Sequence, residues 1–560
     1  MEKRILIALA LSFLVLMLTR PWWEPQRSNV PPSGRNVIET KDVEPGKAAP
    51  THTDLPSGVP GKTPVEVKRA DAEKWIEMET DVYKVKMSNK EAVVRSWVLK
   101  KYNDSSGKPL EFVDDKKAQQ FGYPLSVKVD KDEGFSRSLK NVLFTVSGPD
   151  RINLDGQGSK GQDLIFEFSD ENVRVLKRLS FTPGSYLVSV ESKVWLNGKP
   201  TSHFLNWNSG FGDSSVEPRM AVHKAVYRLE DKIKRLKDSE VSAEQELSGL
   251  FDYAGLEDLY FAALFLPGSE GPLKRIQFSG DEYDGGTGKK EKLLRAGALS
   301  TSLESQGFKL FVGPKDTEVL RRTGSHLVEV IDYGWFRFAC EPLFLALKWL
   351  FSFVKNYGLA IIMLTILINI ALFPLKYKSI ISAQKMQKLQ PQMKAIQEKF
   401  KKYKPTDPKR QQMNSEVMAL YKAHGVNPLG GCLPLVLQMP FFIAFYNLLS
   451  VAIELRHAPF VLWIRDLSAA DQTFILPILM TISMVAMQKM TPTPSADPVQ
   501  AKMMMAMPVF FGFMLAFTSS GLVLYWLTSN LVGIAQQYFM NKYVPSSGAG
   551  SSGKRPKNKK

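Results

Sequence analysis

Cysteine is nearly missing from this chain. There are two in 560 residues, Cys340 and Cys432, at or near apolar runs and far apart in sequence. Such a pair gives no disulfide framework. Histidine is scarce too, with six residues that show no ligand spacing to one another or to the cysteines, so no metal site is expected. His203 and His223 have no carboxylate or second histidine at a useful spacing. The sequence holds no Walker loop and no nucleophile with its base in a known pattern, which leaves catalysis without a foundation. No enzyme and no cofactor are expected. Acidic residues are outnumbered, 56 against 73 basic, for a net charge of +17. That excess first points to nucleic acid, but its placement argues otherwise. Lysines crowd between Lys376 and Lys422 and into the tail KRPKNKK, beside apolar runs. Basic residues there mark the cytoplasmic side of a membrane, and no sequence-specific nucleic-acid binding is expected.

What is abundant is hydrocarbon, unevenly spread. Residues from about 340 to 540 contain several apolar runs long enough for a bilayer core of ~30 Å. The N-terminus, MEKRILIALALSFLVLMLTRP, pairs a basic start with an apolar run from Ile5 to Leu18, followed by TRPWWEP rather than a small-residue cleavage site. It reads as an uncleaved signal anchor over 1–20, with Trp22 and Trp23 at the interface. Residues 21–64, rich in Pro, Gly, Ser and charge, read as a disordered tether.

Between 65 and 332 the chain alternates in short segments such as VLFTV, LIFEF and YLVSVESKVWL, separated by GPD and NGKP. This predicts an antiparallel β-sandwich, with helical pattern first returning at AVYRLEDKIKRL. The segment 333–355 is apolar and aromatic but carries Arg337, Glu341 and Lys348, as suits a helix lying in the interface. A span from Tyr357 to Leu375 follows, then three further apolar runs at 430–452, 473–488 and 507–517, and a last span from Gly521 to about Tyr538. Six crossings place both termini in the cytoplasm and the β domain outside. The core is read as 356–545, and 546–560 as a basic cytoplasmic tail.

The loop 376–428 carries a heptad seam, Leu389, Met393, Ile396, Phe400 and Tyr403, then KPTDP and a second helix with Met413, Val417 and Leu420. It reads as a cytoplasmic helical hairpin. Polar residues punctuate the spans. Asn369, in LTILINIALFP, stands six residues before the cytoplasmic end of its span, about 9 Å in. Gln438 lies roughly 13 Å from the same surface, Asn530 near the middle of the last span, and Gln488 nearer the cytoplasm. An unpartnered amide in hydrocarbon costs roughly 2–7 kcal/mol, so such residues face a protein interior or a wet cavity. Their shared depth predicts a groove in the inner half of the membrane. Plain helix-to-helix hydrogen bonding is the alternative.

NPLGGCLPLVLQMPFFIAFYNLL, ELRHAPFVLWIRDLSAADQTFILPILM, QKMTPTPSADPVQAKMMMAMPVFF and SGLVLYWLTSNLVGIAQQ, with VGPK and IDYGW before them, resemble the YidC/Oxa/Alb family of membrane-protein insertases. The resemblance covers nearly the whole chain and includes the large insert of the Gram-negative type. It implies an α+β multidomain membrane protein: a periplasmic β-supersandwich and a five-helix core that, with the anchor, makes six transmembrane helices. It implies insertion and folding of integral membrane proteins in the inner membrane, alone or with the Sec translocon, through a hydrophilic groove. Implied partners are nascent membrane proteins, the Sec translocon, the lipid bilayer and, through hairpin and tail, the ribosome. The family's groove has an arginine five residues before the proline of its second span, where this chain has Asn369 before Pro374. A polar groove is therefore implied at that position, and a charged one is not. A secondary transporter predicts internal repeats around a midplane site, and none is visible. A membrane-anchored carbohydrate-binding sandwich needs one span, not six.

Overall fold

Alternating burial along the strands builds the β region. In Leu187–Leu196, Val188, Val190, Ser192 and Val194 are buried, and the residues between them are more exposed, the period of two expected of a strand with one covered face. The computed structural model describes residues 67–543 apart from 157–159, 214, 216–222, 242, 269–270, 285–289, 301–305, 401–402, 404–406, 426–432 and 491–497. The expected anchor, tether and basic tail, together with Cys432, lie outside the described residues.

Among those residues the strands form one sheet of five and one of fourteen. Trp97 of the smaller sheet meets Trp207 of the larger at 6.1 Å between ring centroids. Lys177 is fully buried and donates to Ala92 O and Leu125 O at 2.7 Å each, which joins the two layers. Pairing is antiparallel except where Trp75–Glu79 runs parallel to Arg151–Asn153, a departure from the all-antiparallel expectation. The stretch AVYRLEDKIKRL is a second correction. It forms the hairpin Lys224–Leu229/Lys232–Lys237, turning at Glu230 and Asp231 with φ of 50° and 60°. Two consecutive left-handed residues match the twist of a two-residue hairpin, and pairing with Gln245–Glu257 buries Ala225, Val226 and Tyr227. Tertiary burial overrides the charged residues' helix preference.

Helices α1 (Asp115–Phe121) and α2 (Glu133–Ser138) interrupt the strands, and α3 (Thr317–Thr323), capped by Asp316, follows the last one. Helix α4 (Arg337–Val354) buries Cys340, Phe344, Leu347 and Leu350 and exposes Phe338, Leu345, Trp349 and Phe353, a two-faced helix of interfacial type. It ends at Lys355 in the left-handed region, φ 52°, whose N–H donates to Phe351 O. Asn356 then caps α5 (Tyr357–Ala371) by accepting from Leu359 N at 3.0 Å.

The span expected over Tyr357–Leu375 is broken. After Leu372 the chain bends by 58° into α6 (Phe373–Lys388). Pro374 has no N–H to continue the ladder. A helical hairpin follows as α7 (Gln390–Phe400) and α8 (Pro408–Ala423), the latter capped by Asp407. Met386, Leu389, Met393 and Tyr421 form its small core with Val417 and Leu420, and Tyr421 donates to Met393 Sδ at 2.8 Å. Ile396 is half-buried and Phe400 is buried beside Tyr403, both outside that core.

The remaining helices are α9 (Leu433–Val451), α10 (Ile475–Met490), α11 (Pro498–Leu515) and α12 (Ser520–Tyr543). Among the described residues no single helix is long and apolar enough to cross a membrane, although the bent pair α5–α6 meets that test. Helix α12, 24 residues at about 1.5 Å each, is long enough by geometry; its Ser, Thr, Asn and Gln lower its hydropathy. Helices α10 and α11 meet closely at Gly512, where a Cβ would stand 1.9 Å from Thr481 Oγ1. One hydrophobic cluster runs from the β region into the helices, and a buried ion pair, Arg456 with Asp213, ties the loop after α9 to the β domain.

Candidate functional site

Helix α5 is almost wholly apolar, so its two polar inward residues stand out. Thr365 is fully buried and bonds Ile361 O, four residues back. Asn369, one turn on, is 3% exposed and hydrogen-bonded on both sides of its amide. Its Nδ2 donates to Thr365 O at 2.8 Å and, more weakly, to Ser529 Oγ of α12 at 3.4 Å. Its Oδ1 accepts from Lys376 Nζ at 2.6 Å. This last contact crosses the helix break, since Lys376 lies beyond the bend on α6.

Ser529 joins the third helix, accepting from Gln438 Nε2 of α9 at 2.6 Å. Gln536 of α12 donates to the backbone oxygen of Asn369 at 3.1 Å, close to where the α5 ladder is interrupted. Lys376, Asn369, Ser529 and Gln438 thus form one polar chain linking α6, α5, α12 and α9. The aromatic pairs Phe445–Tyr525, stacked at 4.3 Å, and Phe442–Trp526, edge-on at 4.6 Å, pack α9 against α12.

Lys376 is 8% exposed, and among the described residues no carboxylate pairs with it. A buried cation with only neutral partners is costly, and it attracts any anionic group that reaches it more strongly than a solvated one does. Asn530 turns to another neighbour, donating to Ser483 Oγ of α10 at 3.0 Å. Gln488 is half-buried in the last turn of α10. The structure therefore brings Asn369 and Gln438 together through Ser529 and places Asn530 in a second polar pair.

Sequence reasoning passed over Lys376, Ser529 and Thr365. In the sequence Lys376 is one of the lysines that mark membrane orientation. Its spacing of seven from Asn369, two helical turns, was the available signal. Among the described residues no group of three His, Cys, Asp or Glu could hold a metal ion.

Two family models match the chain, the YidC periplasmic domain over residues 75–346 and the 60Kd inner membrane protein over residues 349–547. A membrane protein insertase YidC of Syntrophus aciditrophicus is 35% identical over 97% of this chain and 100% of its own length. The chain belongs to the YidC family of membrane protein insertases. A second YidC insertase, of Geotalea uraniireducens, is 34% identical over 98% of this chain and all of its own length. Among solved structures, an active YidC insertase with its first transmembrane domain resolved aligns over 85% of this chain and 95% of its own, at 18% identity and TM-score 0.36. YidC from Thermotoga maritima aligns over 84% and 99%, at 15% identity and TM-score 0.29. Family membership divides the chain as its secondary structure does, into a periplasmic domain of β-sandwich type and a helical inner-membrane part.

Proposed function

We propose that this YidC-family chain inserts membrane proteins by holding polar groups of a client at the chain Lys376–Asn369–Ser529–Gln438 while the client's apolar segment moves into lipid. The observation that carries the reading is a connected polar chain across four helices, ending in a buried lysine with no acidic partner among the described residues. A polar group crossing hydrocarbon bare costs roughly 2–7 kcal/mol. Partners at an intermediate depth recover part of that cost and lower the barrier. Asn369 and Gln438 offer both donors and acceptors, so they serve backbone and side chains alike. The positive charge that the family resemblance assigns to an arginine is supplied here by Lys376, two turns beyond Asn369.

The topology that fits this role has six crossings, both termini and the hairpin 376–428 in the cytoplasm, and the β domain outside. It is supported by the lysines flanking the helices. Insertion proceeds alone or with the Sec translocon, and the hairpin with its basic tail meets the ribosome and the emerging client. Asn530, Gln488 and the hairpin residues Leu389, Met393, Ile396 and Phe400 support the site. A photo-crosslinker in place of Gln438 or Ser529 should capture an arrested client, and one at Ile482, on the exposed face of α10, should capture much less. Equal capture at all three positions would remove the site from the mechanism.

A further inference from the structure

A second group of charges, with Glu454 its most enclosed carboxylate, lies where the helical part meets the β domain, and the polar chain above makes no use of it. Glu454 stands in the short turn Ile453–Leu455 after α9, outside the spanning helices, with its side chain 12% exposed. Its Oε1 has no hydrogen-bond partner. Lys348 Nζ of α4 is 3.8 Å away and is shared with Glu318 of α3 at 3.1 Å. The Asp316 carboxylate, which caps α3 through the N–H groups of Glu318 and Val319, adds a like charge that acts on it. Tyr102 of strand Val93–Asn103, Tyr333 before α4 and Tyr357 at the start of α5 also feel its charge. Arg456, two residues on, is engaged by Asp213 of the β domain.

We infer that Glu454 makes the joint between the β domain and the membrane helices proton-dependent, clamped when its carboxyl is protonated and loosened when it ionises. An ionised Glu454 carboxylate with an unpartnered oxygen, in a site that also feels the negative charge of Asp316, is costly, and Lys348, shared with Glu318, offsets it only in part. Burial first, and then the charge of Asp316, push the Glu454 carboxyl from its ordinary 4.5 up to about 7. Released from the joint, Glu454 ionises near its ordinary value, so docking takes up a proton between the two values. The joint is therefore tightest below about pH 4.5, weakens by up to about tenfold per pH unit as pH rises to 7, and changes no further above that.

The test uses the full chain in nanodiscs, with hydrogen–deuterium exchange of residues 314–323 and 452–456 at about pH 5, 6, 7 and 8. Protection factors are corrected for the intrinsic exchange rate. Wild-type protection should fall at least about tenfold between pH 5 and 7 and then level off. Glu454→Gln should hold the acid value throughout. Asp316→Asn, which keeps a capping side chain, should shrink the fall and end it at lower pH. Equal wild-type protection at pH 5 and 7, an unchanged fall in Glu454→Gln, or an unchanged fall in Asp316→Asn would each overturn the assignment.

Discussion

Replacing Asn369 with leucine removes the oxygen on which the Lys376 ammonium rests at 2.6 Å and leaves that cation buried with no acceptor. A hydrogen bond to a charged group is worth about 1.5–3 kcal/mol, and a stranded partner costs as much again in lost solvation. The substitution also removes the 2.8 Å bond to Thr365 O and the weak 3.4 Å contact with Ser529. Lys376 can relieve part of the loss by swinging toward the membrane surface, so the expected net cost is about 2–3 kcal/mol. Lys376→Met should cost less, because it removes the desolvated charge together with its bond. In that background Asn369→Leu should cost about 1 kcal/mol or less, since both partners are then apolar. The cycle thus has a coupling energy of about 1 kcal/mol or more. The assay is equilibrium unfolding in detergent of the wild type, both single variants and the double variant. If Asn369→Leu destabilises both backgrounds equally, the two side chains do not act together and the assignment of Lys376 to the site fails.

Three further outcomes follow from the β domain and the topology. His203 is 1% exposed, with Nδ1–H donating to Thr201 O and Nε2 accepting from Ser192 Oγ, and burial lowers its pKa from 6.5 to about 4. It stays neutral in the fold while the unfolded chain takes up a proton, so stability should fall by about 3 kcal/mol as pH drops from 6.5 to 4. Urea unfolding should show an acid slope in the wild type that is smaller by that amount in His203→Gln, and equal slopes would count against it. Asp213→Ala leaves Arg456 buried and unpaired and should loosen the tie between β domain and helices by about 3–5 kcal/mol. The readout is faster proteolysis between the two parts; an unchanged cleavage rate counts against the pair. Single cysteines at Ser189 and Lys394 should label from outside and from inside respectively, and the reverse pattern would invert the topology.

Much of the fold was legible because burial wrote itself into the sequence with a simple period. The strand Leu187–Leu196 alternates as its letters do, and α4 shows its two faces in the spacing of Cys340, Phe344 and Leu347. AVYRLEDKIKRL was misread because charged residues with good helix propensity sit on a two-stranded ribbon, where pairing with Gln245–Glu257 decides the outcome. The depth of Asn369 and Gln438 could be counted from the ends of their apolar runs. That they meet through Ser529 could not, because a serine in an apolar run is an ordinary helix residue until a neighbour supplies its partner. Lys376 stands seven residues from Asn369, a same-face spacing in a helix, but it sits among flanking lysines that look alike, and the 58° bend between the two residues has no mark in that spacing.

Liposomes holding the purified chain and no other protein give the most direct measurement, read as protease-protected insertion of two matched small clients. One client carries acidic residues in its translocated segment and the other has neutral ones. Wild type should insert both faster than empty liposomes, and Lys376→Met should slow the acidic client by about tenfold, the equivalent of about 1.4 kcal/mol of lost attraction, while affecting the neutral client far less. Wild type no better than empty liposomes would contradict the insertase reading itself. Equal insertion of the acidic client by wild type and Lys376→Met would contradict the role given to the polar chain.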